Sequence, residues 1–361
     1  MKRLLTLALV AAMTGSVSAQ KQQTLHSGYP IDPVPFTSVK VTDSFWGQPF
    51  KASREVTIPL AFSKCEETGR YENFVKATHP SDEYKVGGFS FDDTDVYKTI
   101  EGASYSLQTY PDKKLEEYID SVLVIVAAAQ EPDGYLYTAR TMNPKHPHDW
   151  SGPERWSEVE NLSHEFYNLG HMVEGAVAYY QATGKRNFLD IAIRYADCVC
   201  KNIGEGPGQK RVIPGHQIAE MALVRLYTVT GDKKYLDQAQ KVYNFIFNNK
   251  NLPEDLVPYW DYDAPNIPNE PRDASAAACT ASALYELDGY LPGNHYKETA
   301  DKIMESLGSP AYRAEVGTNG NFILMHSVGS IPHGQEIDVP LNYADYYFLE
   351  GLMRKRDLEK K

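Results

Sequence analysis

The strongest constraint on the fold is an internal repeat. Tyr180-Gln181-Ala182-Thr183-Gly184-Lys185-Arg186-Asn187-Phe188-Leu189-Asp190-Ile191-Ala192 is matched by Tyr227-Thr228-Val229-Thr230-Gly231-Asp232-Lys233-Lys234-Tyr235-Leu236-Asp237-Gln238-Ala239, an offset of 47 residues (227 minus 180). Gly184 and Gly231 suit the left-handed position just past a helix end, so each copy reads as helix, tight turn, helix. Ser106 to Leu115 is a looser third copy, with Tyr110-Pro111 in place of Thr-Gly. A period of about 40–50 residues with two helices per unit describes stacked helical hairpins, in an open solenoid or a closed ring. Apolar spacing predicts helices near 53–65, 95–110, 114–130, 163–182, 187–203, 216–230, 233–248, 273–290, 295–308 and 341–354. Ten helices with long loops on alternate connections favour the ring, an all-α, (α/α)6-type toroid. Its inner helices would be 95–110, 163–182, 216–230, 273–290 and 341–354, with their N-termini converging on one end. The segments 131–160 and 249–272, rich in Pro, Trp, Tyr and Asp, read as structured loops, where function concentrates.

Composition narrows the function. With 42% hydrophobic and 23% charged residues the chain has the makings of a globular core. Its net charge of -12 lacks the basic footprint of a nucleic-acid binder. The 25 tyrosines point weakly toward sugars, whose apolar faces stack on rings. Lys2 and Arg3, the apolar run Leu4 to Met13 and the small-residue site Val17-Ser18-Ala19 read as a secretory signal peptide over 1–19. The expectation is a periplasmic or secreted protein with residues 20–361 as a single toroid domain and no membrane span. Cys65, Cys198, Cys200 and Cys279 fit no zinc spacing and read as buried free thiols. Neither a metal nor any other cofactor is expected.

The starts of the inner helices carry the candidate site. They are Phe91-Asp92-Asp93-Thr94-Asp95, Asn161-Leu162-Ser163-His164-Glu165, Pro214-Gly215-His216-Gln217, Pro271-Arg272-Asp273-Ala274-Ser275 and Glu336-Ile337-Asp338-Val339-Pro340-Leu341-Asn342. Capping alone accounts for Asp93, Ser163 and Asp273. It does not ask for His164, Glu165 and His216 together. Carboxylates, histidines and an arginine facing one mouth suit a sugar-binding crater, and carboxylates with separated pKa values are what glycoside chemistry uses. Trp150, Trp156 and Trp260 lie on loops where they could stack on a sugar or simply pack. His146-Pro147-His148-Asp149 reads as surface rather than as a metal site.

Two resemblances meet in the chain. Residues about 24–240 resemble the catalytic domain of family 127 glycoside hydrolases, the β-L-arabinofuranosidases. The matching segments are Phe45-Trp46-Gly47, Asp92 to Lys98, Gln130-Glu131-Pro132-Asp133-Gly134-Tyr135-Leu136, Ser163 to His171 and Gly215-His216-Gln217. Residues about 241–361 resemble the end of family 88, the unsaturated glucuronyl hydrolases. There the matches are Val257 to Pro265, Pro268 to Ala277 and Asp345 to Glu350, which puts a seam near 240. Both families are (α/α)6 toroids. The resemblance to family 127 implies a zinc-bound cysteine nucleophile, but its late Cys-Cys pair and its Glu-Thr-Cys segment do not occur here. It also implies that His164 and His216 contact sugar. By analogy with the two aspartates of family 88, Asp95 and Glu165 become the carboxylate pair. Asp93, Trp260 and Arg272 join the substrate-binding set. Ser330, His333 and Gln335 stand where that family has a sulfate-binding segment. The expected reaction is release of a non-reducing-end sugar, an unsaturated uronide or β-L-arabinofuranose, from an oligosaccharide, by water attack with carboxylate acid/base help. The alternatives are a catalytically impaired sugar-binding toroid and a helical scaffold for protein partners.

Overall fold

The computed structural model describes residues 36–360 apart from 160–161, 213–214, 217, 291–292 and 332. The expected signal segment, 1–19, and the start of the family 127 resemblance lie outside the described residues. Helix dominates, in the hairpin plan of an (α/α) toroid. The main helices are α1 Ile58–Glu67, α2 Arg70–Thr78, α3 Asp93–Thr109, α4 Lys113–Ala129, α5 Glu165–Thr183, α6 Asn187–Asn202, α7 Ile218–Thr230, α8 Lys233–Phe247, α9 Ala274–Tyr290, α10 Tyr296–Gly308 and α11 Asn342–Leu358. Helix α2 and an antiparallel hairpin, β1 Ser327–Ser330 with β2 Gln335–Val339, were not legible in the sequence pattern.

Inner and outer helices differ as their sequences demand. Helix α5 is apolar nearly all round and buries Phe166, Leu169, Met172, Val173, Ala176 and Val177, as a helix flanked on several sides must. It packs against α3 on one side and α7 on the other. Helix α6 behind it is amphipathic and buries one face, including Phe188, Leu189, Ala192, Tyr195 and Val199. Two glycines let α5 approach both inner neighbours. A Cβ at Gly175 would stand 2.8 Å from the Tyr97 carbonyl on α3, and one at Gly170 would stand 2.6 Å from Ile218 on α7. The repeat glycines behave as their position requires: Gly184 and Gly231 have φ of +72° and +69°.

Among the described residues, the buried apolar side chains form two clusters. One runs from Ile58 to Tyr235 and holds α1 to α8 together. The other runs from Val257 to Phe348 and joins α9, α10 and α11, with α9 packed along both partners. Fully buried tyrosines are prominent in both, among them Tyr97, Tyr179 and Tyr195 in the first and Tyr285 and Tyr296 in the second.

Candidate active site

The mouth of the first cluster is built by the starts of α3 and α5 and by the loops before them. His164 precedes α5 with φ of -102°. Its Nδ1 faces the Leu162 carbonyl at 2.5 Å and the Ser90 hydroxyl at 3.0 Å. A carbonyl can only accept, so Nδ1 carries the proton and Nε2 is left as an acceptor. Rings crowd the imidazole: Phe91 at 4.8 Å, His216 at 5.5 Å, Tyr167 at 5.6 Å and Trp150 at 6.3 Å between centroids. Tyr167 in turn lies 4.4 Å from His171 and 4.9 Å from His216. Phe89 stacks on Phe91 at 5.0 Å and is half exposed. Burial lowers the pKa of His164, and burial with the Lys98 charge pushes His171 down to about 4. Burial thus favours the uncharged imidazole at both positions, and with Nδ1 of His164 engaged by Leu162 that ring offers a sugar hydroxyl its Nε2 acceptor.

Below the mouth the inner wall becomes charged. Lys98 Nζ donates to the Tyr167 hydroxyl at 2.6 Å and to Thr94 Oγ1 at 3.2 Å, and sits 4.5 Å over the Tyr167 ring. Glu101 follows one turn along α3, and burial raises its pKa, with Glu174 adding to the rise. Arg225 of α7 is ion-paired to Glu174 and donates to the Tyr105 hydroxyl at 2.7 Å. Lys98, Tyr167, His171 and Glu101 were not picked out as site residues from the sequence. A signal was present. Thr94, Lys98, Glu101 and Tyr105 on α3, and His164, Tyr167, His171 and Glu174 on α5, each recur at three- or four-residue spacing on helices otherwise largely apolar on their packed sides.

The sequence-derived candidates are placed differently from one another. His164 and His216 come together in the mouth. Asp93 and Glu165 do not open onto it. Asp93 is 2% exposed and accepts from the Thr138 N–H at 2.9 Å and the Thr138 hydroxyl at 2.5 Å. Burial pushes its pKa up to about 6. Glu165 is 0% exposed. Its carboxylate accepts from the Tyr135 hydroxyl at 2.5 Å, the Ser163 hydroxyl at 2.7 Å and the Trp156 N–H at 3.0 and 3.1 Å. Burial raises the Glu165 pKa and these hydrogen bonds pull it back. This carboxylate ties the 154–163 loop to α5 and so positions His164. Asp95 faces α2 rather than the mouth, with Oδ2 accepting from Arg70 Nε at 3.0 Å; Arg70 also pairs with Asp92 at 3.1 Å. The structure therefore does not gather Asp95 and Glu165 into one acid/base pair. The reason is long-range: an arginine on α2 claims one, and a returning loop encloses the other.

The second cluster holds the remaining candidates. Arg272 is ion-paired to Asp255, donates through Nε to the Val257 carbonyl at 2.9 Å, and lies over the Tyr259 ring at 5.0 Å. It clamps the 255–259 loop. The Trp260 indole donates to Glu270 at 2.8 Å. Ser330 and His333 meet each other at 2.7 Å across the β1–β2 turn, and Gln335 is exposed at the start of β2.

Comparison with known proteins bears on this mouth. A family model described as β-L-arabinofuranosidase, GH127 catalytic domain, matches residues 38–282, more than half the chain. The chain belongs to the GH127 family. The match runs past the seam expected near 240. A solved GH127 β-arabinofuranosidase is 67% identical with a TM-score of 0.67, covering 80% of this chain and 45% of that one. A non-reducing end β-L-arabinofuranosidase of Bifidobacterium longum is 39% identical over 181 residues, 50% of this chain and 26% of the relative. An unsaturated glucuronyl hydrolase of Formosa agariphila is 48% identical over 132 residues, 37% of this chain and 33% of the relative. The chain thus spans a third or less of these two curated relatives.

The zinc-thiolate group suggested by the GH127 resemblance does not fit the residues of this GH127 chain. Among the described residues no three His, Cys, Asp or Glu side chains gather into a ligand set. Cys65 lies beside Thr99, Cys198 and Cys200 share α6, and Cys279 is on α9. Burial pushes the thiols of Cys198 and Cys200 up to about 11, away from the thiolate a zinc site requires.

Proposed function

We propose that this chain is an exported glycoside hydrolase that takes the non-reducing-end sugar of an oligosaccharide into the mouth formed by Phe91, Trp150, His164, Tyr167 and His216. The observation that carries the reading is the cluster of three imidazoles around Tyr167, walled by aromatic rings, at helix starts in a chain of the GH127 family. Imidazoles and a phenol suit hydroxyl recognition, and the rings suit a sugar face. Hydrolysis by water needs a carboxylic acid to protonate the leaving oxygen. On this wall burial raises the pKa of both Glu101 and Glu174, and because Glu174 is ion-paired to Arg225, Glu101 is the candidate acid. Asp95 and Glu165, engaged by Arg70 and by the 154–163 loop, are left in supporting roles. That engagement also favours a second reading, a sugar-binding toroid with impaired chemistry.

The test is turnover and binding of an aryl β-L-arabinofuranoside and of an unsaturated uronic disaccharide, with wild type, His216→Ala and Glu101→Gln. Hydrolysis lost in Glu101→Gln with binding kept supports the first reading. Binding without turnover in wild type supports the second. No binding of either sugar overturns both.

A further inference from the structure

Glu220 lies in the first turn of α7, one turn after His216 of the mouth. Both of its carboxyl oxygens are buried, and among the described residues neither has a hydrogen-bond partner. Buried polar groups are ordinarily paired, so an unpaired one calls for a role. The side chain borders a small cavity shared with Phe166 of α5, Ile203 and Val212 beyond α6, Ala219 and Leu223 of α7, and Gln238 of α8. That lining is apolar apart from Gln238, whose amide donates to the Ile203 carbonyl at 3.4 Å and accepts from Lys241 at 2.9 Å. The charged groups on the surrounding elements are engaged elsewhere: Glu165 with the 154–163 loop, Lys210 with Glu154, Arg211 with Glu205, and Lys241 with Gln238. The α6 thiols, Cys198 and Cys200, are pushed up to about 11 and stay protonated near neutrality. Glu220 therefore answers to burial, which raises it to about 7, with only its own backbone N–H pulling the other way.

We infer that Glu220 is a positioning residue for His216 and works by gaining and losing a proton: its acid form seats the start of α7, and its ionisation unseats His216, so the mouth holds sugar in mild acid and releases it in mild alkali. The inference rests on the mouth being a sugar site. An ionised carboxylate in an apolar cavity without a donor must draw water in or move outward. Either response displaces the first turn of α7, whereas the uncharged acid requires neither. That turn has little slack, because Ile218 lies so close to α5 that a Cβ at Gly170 would stand 2.6 Å from it. A displacement there is passed to His216, whose ring meets His164 at 5.5 Å and Tyr167 at 4.9 Å.

The experiment is calorimetric titration of the full chain with an aryl thio-β-L-arabinofuranoside, an analogue that resists hydrolysis, at several pH values from roughly 6 to 8. The variants are Glu220→Gln and Glu220→Met, two uncharged side chains of similar length, and circular dichroism at each pH checks native helicity. With a group that titrates at about 7, the acid form falls to about a tenth of the population at pH 8, so the wild-type dissociation constant should rise roughly tenfold over the series. Both variants should bind with little change across the same range. Every other titrating group, His164, His171, Asp93 and Glu101 among them, is common to all three proteins and cancels in the comparison. A variant with the same pH dependence as wild type, or wild-type binding that is flat with pH, overturns the Glu220 assignment while leaving the sugar site standing. Failure of wild type to bind the analogue at any pH overturns the site and the assignment together.

Discussion

Replacing Asp93 by Asn should make the protein more stable in a way that depends on pH. Asp93 opens α3, where a negative charge gains from the helix dipole, yet it is fully enclosed and its pKa is raised to about 6 from 3.8, chiefly by burial. A carboxyl group with a raised folded-state pKa contributes stability that is present below pH 3.8 and lost as pH rises through about 6. The shift of about 2 units corresponds to about 3 kcal/mol, of which about 2 kcal/mol falls between roughly pH 4.5 and pH 8. Among the described residues, the groups that donate to the side chain are the Thr138 N–H and hydroxyl. An Asn can accept from the former and donate to the latter, because a hydroxyl rotates to accept. The amide therefore keeps both hydrogen bonds and carries no charge to bury. Urea unfolding of wild type and Asp93→Asn at several pH values isolates the effect, since every other titration cancels in the difference. The variant's advantage should grow by about 2 kcal/mol from roughly pH 4.5 to pH 8. A difference that stays flat across that range would refute the claim that Asp93 is buried as a strained charge.

Three further outcomes are expected. Glu165→Ala orphans the Tyr135, Ser163 and Trp156 donors and frees Trp156 from its left-handed backbone (φ +68°), so unfolding stability should fall by on the order of 4 kcal/mol, with a shift in tryptophan emission. Gly170→Ala drives a methyl into Ile218 at 2.6 Å and should lower stability by about 2 kcal/mol, read as a lower thermal midpoint with sugar affinity weakened through α7. Glu220, whose two buried oxygens have no hydrogen-bond partner among the described residues, is raised to about 7 by burial. Its contribution is lost as pH rises from about 4.5 to about 7, so Glu220→Gln should gain on wild type across that window, visible in the same urea series.

The helical frame was legible because its signal is local. Apolar spacing placed α3 to α10 within two residues of their observed starts, and Gly184 and Gly231 marked two helix ends through a backbone conformation that glycine tolerates best. Helix α2 escaped notice because Arg70–Thr78 is short and buries only Phe74 and Ala77. The β1–β2 hairpin escaped because β2 is mostly exposed and shows no alternation. His164 and His216 meet in the structure, and their place at helix starts follows from the chain itself. Asp95 and Glu165 do not meet, because their partners are remote in sequence: Arg70 lies 25 residues before Asp95, and Tyr135 lies 30 residues before Glu165. No local pattern reports which way a loop returns.

The division of the apolar interior between Tyr235 and Val257 has a consequence for how such rings change over generations. A crossover between related genes that falls after Ala239, which packs on the first cluster, and before Phe247, which packs on the second, leaves the described members of each cluster together. Hairpins exchanged there keep their own buried neighbours, so the hybrid inherits two packed halves instead of a scrambled core. A chain divided in this way can exchange its last three main helices in a single genetic event and keep the buried core around α5 intact.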